Sequence, residues 1–490
     1  MGIMKKIVQV VLIGGLIVLF AGFSPVEKKW EKPFSRLDNE VRKNSKAYQT
    51  LGEATKTIGH RLTGSVNGEK AEEYAFQLLK SYGFADVSFQ PFEVEAWMRD
   101  TVTLSIAPSS SDNFREVPVV SLAHSPVESN LQGEIVDVGN GLEEDFEAIK
   151  ERVKGKVALA NINLVGAQGK KNLHRSEKTA LAIKYGARGV IMVNGAPGKI
   201  LLTGTASVTG AIISIPAVCI SNDSGGELRK WLKEEGPLEA HIDMHNISKP
   251  IKARNVIATL KGKSDEKVII GGHLDSWDLA TGAIDNGIGS FAVMDIARTF
   301  KALKVKPERT IQFVLFMGEE QGLLGSKHFV SELKKSGEIN KVSYMMNLDM
   351  TNDPRGVNAF GRDEMNEFFA GVGSAIQRVD QSFKNESSNR AGLHSDHQPF
   401  MLEGVPIAGL SGHLDPNVLQ CYHADCDDFS LVNKGQFENT VRIASMYLYA
   451  LANAETIAVS KLSDTKTRDY LISQGLKEEL VIGQEWRWEQ

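Results

Sequence analysis

Three apolar runs, VIIGG at 268–272, TIQFVLFMG at 310–318 and SYMMNLDM at 343–350, are separated by stretches long enough for helices. Strands that are apolar along their whole length are buried on both faces, and crossover helices are what bury them. One such helix is visible: Ile288, Phe291, Ala292, Ile296, Phe300 and Leu303 recur at helical spacing. The pattern predicts an α/β fold, a mostly parallel (mixed) sheet with helices on both faces. In such sheets ligands bind beyond the carboxyl ends of the strands. His273 ends the first run, Glu319 and Glu320 end the second, and Asp349 ends the third. Chelating groups therefore converge on one sheet edge.

The stretch HLDSWDLATGAIDNG, 273–287, adds Asp275 and Asp285, and CYHADC adds His423. Two imidazoles and several carboxylates are ligand types for divalent metals and too many for one tetrahedral ion. They suit two ions about 3.5–4 Å apart that share a carboxylate. On this reading His273 binds one ion, Asp275 accepts the other ring N–H and orients it, and Asp285 bridges. Gly282, Gly287 and Gly289 then permit a tight loop into a helix. Spacing does not say whether Glu319 or Glu320 is the ligand.

Upstream, Ala71, Tyr74, Ala75, Leu78 and Leu79 predict a helix that Gly83 stops. From about Glu116 short β-branched runs (GEIVDVG, GKVALANI, SIPAVCIS) and glycine turns predict a small β-rich module, followed by a turn-rich polar stretch at 237–250. The expected organisation is 1–24 signal peptide or anchor, 35–115 first part of the catalytic domain, 116–245 insertion, 250–455 main catalytic part and 456–490 C-terminal extension.

The opening MGIMKKIVQVVLIGGLIVLFAGFS has a basic start and an apolar run, the plan of an export signal cleaved near Ser24, with an uncleaved anchor as the alternative. The protein is expected outside the cytoplasm: periplasmic, extracellular or at the cell surface. Three cysteines make no disulfide framework; Cys421 and Cys426 are near enough to pair, and Cys219 sits in an apolar run. A net charge of −5 without long basic runs argues against nucleic-acid binding and for a small soluble ligand.

The runs GGHLDSWDLATGAIDNGIGS, ERTIQFVLFMGEEQGLLGS, NLDMT, HSDHQPF and CYHADCDD occur in the order found in the M28 family of co-catalytic zinc exopeptidases, which this chain closely resembles. Within that family the resemblance is nearest to the plasma glutamate carboxypeptidase (carboxypeptidase Q) branch. GHRLTGS resembles the family's amino-terminal segment, and GKVALANI, AIKYGARGVIMV and SIPAVCIS resemble an inserted protease-associated (PA) domain. The likeness spans roughly Ser45 to Ala452.

It implies two Zn2+ per chain, one held by His273 and Asp349, the other by Glu320 and His423, with Asp285 on both and Glu319 as general base. It also implies hydrolysis of terminal peptide bonds of small unblocked peptides or dipeptides by a metal-activated water. The run His423-Ala424-Asp425-Cys426-Asp427-Asp428 lacks the hydroxyl residue that members often carry there, which leaves the role of Asp427 open. Asp396 and His397 either orient substrate or are polar loop residues, and Arg362 and Arg390 are candidates for reading a carboxylate. A single-zinc aminoacyl cyclase and a non-catalytic receptor-like homologue are the alternatives. The PA-like module is expected to lid the cleft, or else to be structural or to form a homodimer. The tail ending EWRWEQ has no functional reading.

Overall fold

The structure, a computed structural model, describes residues 25–489; the expected export signal at 1–24 lies outside the described residues. The predicted strands form as Ser264–His273, Arg309–Phe316 and Val342–Asn347, joined by Ile407–Ser411. These four are mutually parallel, in the order 407–411, 342–347, 264–273, 309–316. Antiparallel strands flank them, Gly356–Asn358 on one side and Leu238–Leu260 on the other, so the sheet is mixed.

Both faces are covered. On one, Phe291, Ile296 and Phe300 of helix Ile288–Ala302 pack with Phe437, Val441 and Leu448 of helix Lys434–Asn453. On the other, Phe329, Val330, Phe400 and Leu471 cover Phe316, Ile269 and Met345. Helix Ile288–Ala302 is buried nearly all round, which explains why its sequence is apolar beyond a single stripe. The helix predicted around Ala71 runs Val66–Ser81, with Ser65 capping Gly68 N–H at 3.0 Å and Gly83 at φ +87° beyond its end.

The stretch at 237–250 is not a turn. It belongs to the strand Leu238–Leu260, which pairs antiparallel with Val87–Pro108 along almost its whole length. Leu238, Ala240, Ile242 and Met244 point inward while the intervening polar residues face out, a period of two that the polar content hid. This two-stranded ribbon starts in the catalytic sheet and ends in the inserted module, so the expected boundary at 245/250 falls along continuous pairing, and that at 115/116 falls in a short strand, Arg115–Glu116, paired to the same ribbon. The module then adds Glu128–Asp137, Val157–Asn161, Gly189–Val193, Ala217–Ile220 and Val119–Ser121 in spatial order. Cys219 is buried in it, and Cys421 and Cys426 form a disulfide in the loop that carries His423.

Within the module, His124 is fully buried, at φ +67°, with Nδ1 2.8 Å from Thr205 Oγ1. Burial pushes its pKa down from 6.5 to about 4. The folded state thus binds this proton more weakly than the unfolded chain, so the stabilisation is complete above pH 6.5 and is lost as pH falls through about 4. The loss amounts to about 3 kcal/mol. Asparagine tolerates positive φ and retains a polar group for Thr205. His124→Asn is therefore expected to lower the loss of thermal stability between roughly pH 7 and pH 4, read as the unfolding midpoint; an undiminished loss would contradict this assignment.

Candidate metal centre

The expected ligands arrive from three strand ends, a helix-entry turn and a loop. His273 closes its strand, Glu319 and Glu320 follow Phe316, Asp349 follows Asn347, Asp285 lies in the turn before helix Ile288–Ala302, and His423 lies in the disulfide-closed loop. His273 Nε2 stands 3.3 Å from Asp285 Oδ1 and 3.4 Å from Asp349 Oδ1. His423 Nε2 stands 3.0 Å from Asp285 Oδ2 and 3.1 Å from Glu320 Oε2. The two oxygens of Asp285 therefore face two different imidazoles, each with its own further carboxylate. Glu319 Oε2 is more distant, 3.9 Å from His273 Nε2.

Such a concentration of buried acid perturbs His273, Asp285, Glu319, Glu320 and His423. Burial raises Glu319 far above the usual carboxylate range, offset by His273 and reinforced by Glu320. Burial also raises Glu320, against the pull of His423. Although burial opposes it, the carboxylates of Glu319 and Asp349 hold the His273 imidazole well above its ordinary value. Glu320 Oε1 is buried without a hydrogen-bond partner. Ligand atoms of His273, Asp285 and Glu320 lie within 4.8 Å of one another. Clustered imidazoles and carboxylates with an orphaned oxygen suit a divalent cation better than they suit each other.

The supports of these ligands differ in part from expectation. His273 Nδ1 meets the backbone carbonyl of Asp275 at 3.1 Å, while the Asp275 carboxylate is 3.7 Å away. That carboxylate instead accepts from Thr63 Oγ1 at 3.0 Å and from Glu319 N–H at 3.3 Å. Asp275 thus positions the backbone of Glu319, and its main chain orients His273. Asp427, whose role was open, accepts the backbone N–H groups of Ile284 and Asp285 at 2.7 and 2.9 Å and clamps the Asp285 turn. Gly282 adopts φ +60° there, and a Cβ on Gly289 would lie 2.3 Å from the Leu348 carbonyl. These glycines serve the turn and its approach to the next strand.

Several supports carried no sequence signal of their own. Arg61 of GHRLTGS is fully buried and donates to the carbonyls of Leu274, Thr281 and Gly282 at 2.6, 2.7 and 2.8 Å, stapling the loop between His273 and Asp285. Ser395 Oγ donates to Asp349 Oδ2 at 2.6 Å. Thr203 of the inserted module bonds the His423 backbone at 2.9 Å, and Arg175 Nη2 lies 3.0 Å from His423 Nδ1. The module is therefore part of the site's wall.

A cavity of about 530 Å³ opens on the cluster. His397 lines it, with Nε2 3.0 Å from the Gly392 carbonyl, whereas Asp396 is fully buried and not among the lining residues. Arg362 is buried against the Ser460 carbonyl and Arg390 is exposed; neither lines the cavity, and the arginine that does is Arg175. The tail, unread from sequence, folds into helices Asp464–Ser473 and Lys477–Ile482 and contributes Glu479, Leu480 and Glu485 to the cavity.

Residues 255–448 match the model of peptidase family M28, and 118–228 match the PA domain. The chain is similar to carboxypeptidase Q of Mus musculus, 26% identical over 424 residues covering 84% of this chain and 86% of the relative. It is similar also to a probable leucine aminopeptidase 2 of Trichophyton verrucosum, 26% identical with 79% and 78% covered. Among solved structures, a peptidase M28 precursor from Shewanella amazonensis superposes with a TM-score of 0.75 at 25% identity, covering 89% of this chain and all (100%) of that one. An aminopeptidase from Aneurinibacillus sp. strain AM-1 gives 0.64 at 27% identity, covering 87% and 98%. With its imidazoles and carboxylates gathered and a PA domain walling the cleft, the chain carries a peptidase M28 domain over residues 255–448 and is a metallopeptidase.

Proposed function

We propose that the protein is a dinuclear zinc exopeptidase that hydrolyses terminal peptide bonds of small unblocked peptides. The observation that carries this reading is the division of the Asp285 carboxylate between His273 and His423, at 3.3 and 3.0 Å. His273 with Asp349 would hold one ion and His423 with Glu320 the other, and imidazole with carboxylate is a donor set that zinc favours. Bound zinc supplies Lewis acidity, which polarises a scissile carbonyl and lowers the pKa of water toward neutrality.

The remaining chemistry belongs to the chain. Glu319 stands outside both ligand pairs, its backbone held on Asp275, and is the group free to take a proton from the attacking water and return it to the leaving amine. Burial of the site keeps bulk water from competing for that proton. The relatives' names, carboxypeptidase Q and leucine aminopeptidase, both describe exopeptidases, acting at opposite chain ends. A cavity of about 530 Å³, walled by the PA domain and the C-terminal helix, suits short peptides. The disulfide beside His423 agrees with an exported protein.

Glu319→Gln is expected to retain the metal content of the parent while turnover of an unblocked dipeptide falls by about 10²–10⁴-fold. Full activity in that variant would remove Glu319 from the mechanism. Metal analysis of the purified protein is expected to give about two zinc ions per chain, and Asp285→Asn to lower occupancy of both together. One ion per chain, unaffected by Asp285→Asn, would refute the dinuclear reading.

A further inference from the structure

Away from the metal cluster, the cavity wall draws one residue from each of three parts of the chain. Glu177 comes from the PA-domain helix Arg175–Lys184, His394 from the loop after Glu386–Ser388, and Glu479 from the C-terminal helix Lys477–Ile482. Glu177 is only 1% exposed. Its Oε2 caps its own helix by accepting from His174 N–H at 2.7 Å, but Oε1 has only His394 Nε2 at 3.7 Å, beyond hydrogen-bonding range. Among the described residues it forms no ion pair with lysine or arginine. Burial accordingly raises its pKa to about 7.

Glu479 gives one carboxylate oxygen to Lys171 and leaves the other 3.9 Å from His394 Nε2. His394, 41% exposed, stacks on His174 at 4.8 Å; partial desolvation with the nearby Arg175 lowers its pKa and favours the neutral imidazole, which offers an acceptor nitrogen. Ligand atoms of the three residues lie within 4.8 Å of one another. With His394 Nε2 3.7 and 3.9 Å from the two carboxylate oxygens and the third side at most 4.8 Å, a donor nitrogen ~2.9 Å from all three sits above their plane. The Lys171 ammonium already paired with Glu479 repels a divalent ion at this point more than a singly charged one. An ammonium group, by contrast, has three donors and no acceptor.

We propose that Glu177, His394 and Glu479 form a subsite that binds an ammonium group of the substrate, either a free terminal amine or a lysyl side chain. The position fits a peptide cleaved at the metal cluster. Arg175, two residues before Glu177, touches His423, and Ser395, next to His394, bonds Asp349. The subsite thus lines the same cavity as the metal cluster, within reach of one short peptide. The PA domain and the C-terminal extension together supply the charge that reads one end of the substrate. This inference rests on the peptidase reading for its substrate class, and its test is made independent of turnover.

Binding is measured by calorimetry on the full chain carrying Glu319→Gln, loaded with zinc, with and without Glu177→Gln. The probes are alanyl-alanine, its N-acetyl derivative and N-acetyl-lysyl-alanine. Glutamine keeps the helix cap, since it can accept from His174 N–H as glutamate does. Glu177→Gln is expected to reduce the preference for an ammonium-bearing peptide over acetyl-alanyl-alanine by about 10-fold or more. Loss confined to alanyl-alanine assigns the terminal amine, and loss confined to the lysyl peptide assigns the side chain. Glu479→Gln should act in the same direction. An unchanged preference in both variants overturns the proposal, as does zinc above two per chain that Glu177→Gln removes. Failure of the peptidase reading would appear separately, as absence of peptide hydrolysis by the unsubstituted enzyme.

Discussion

A single carboxylate shared by two imidazoles organises this molecule. Asp285 faces His273 with one oxygen and His423 with the other, and those histidines lie 150 residues apart in the chain. Buried acids packed this densely repel one another and are costly to desolvate, so the arrangement is stable only if divalent cations and a rigid frame compensate. Much of the surrounding structure is that frame. Arg61 fixes three carbonyls of the loop between His273 and Asp285, and Asp427 holds the backbone of the Asp285 turn. Asn286 then ties that turn to the Leu348 carbonyl and the Met350 N–H, setting its distance from Asp349.

The PA domain is mechanically joined to this frame. A ribbon of two strands, Val87–Pro108 and Leu238–Leu260, pairs continuously from the catalytic sheet into the domain, leaving no flexible linker between them. Thr203 bonds the backbone of His423, and Arg175 sits against its ring. The domain therefore helps to place one imidazole of the cluster while its helix Arg175–Lys184 walls the cleft. The C-terminal helix Lys477–Ile482 packs against that same helix and narrows the cavity from the other side. Access to the ligands is thus shaped by segments that hold none of them.

Three parallel strands and the helix after the first were legible because each rests on local pattern. An apolar run marks a doubly covered strand, its last residue marks the sheet edge, and helical spacing marks the crossover. Where polar residues concealed the period of two, as in Leu238–Met244, the strand was read as a turn. The sequence points to Asp275, but which of its atoms meets His273 depends on the fold of the loop: the carbonyl does, and the carboxylate turns to Thr63 and Glu319. Asp396 and His397 are adjacent in sequence yet only His397 reaches the cavity, because a helix starts there and sends successive side chains in different directions.

By itself, the sequence determined which chemical groups end the strands, since a side chain's place along a strand is a property of its neighbours. Only the tertiary structure decided which groups meet. Arg61 with the 274–282 loop, Arg175 with His423, and Glu177 with His394 and Glu479 join segments about 85 to 300 residues apart. No periodicity links such partners; packing of whole layers brings them together, and burial then gives each contact its electrostatic weight.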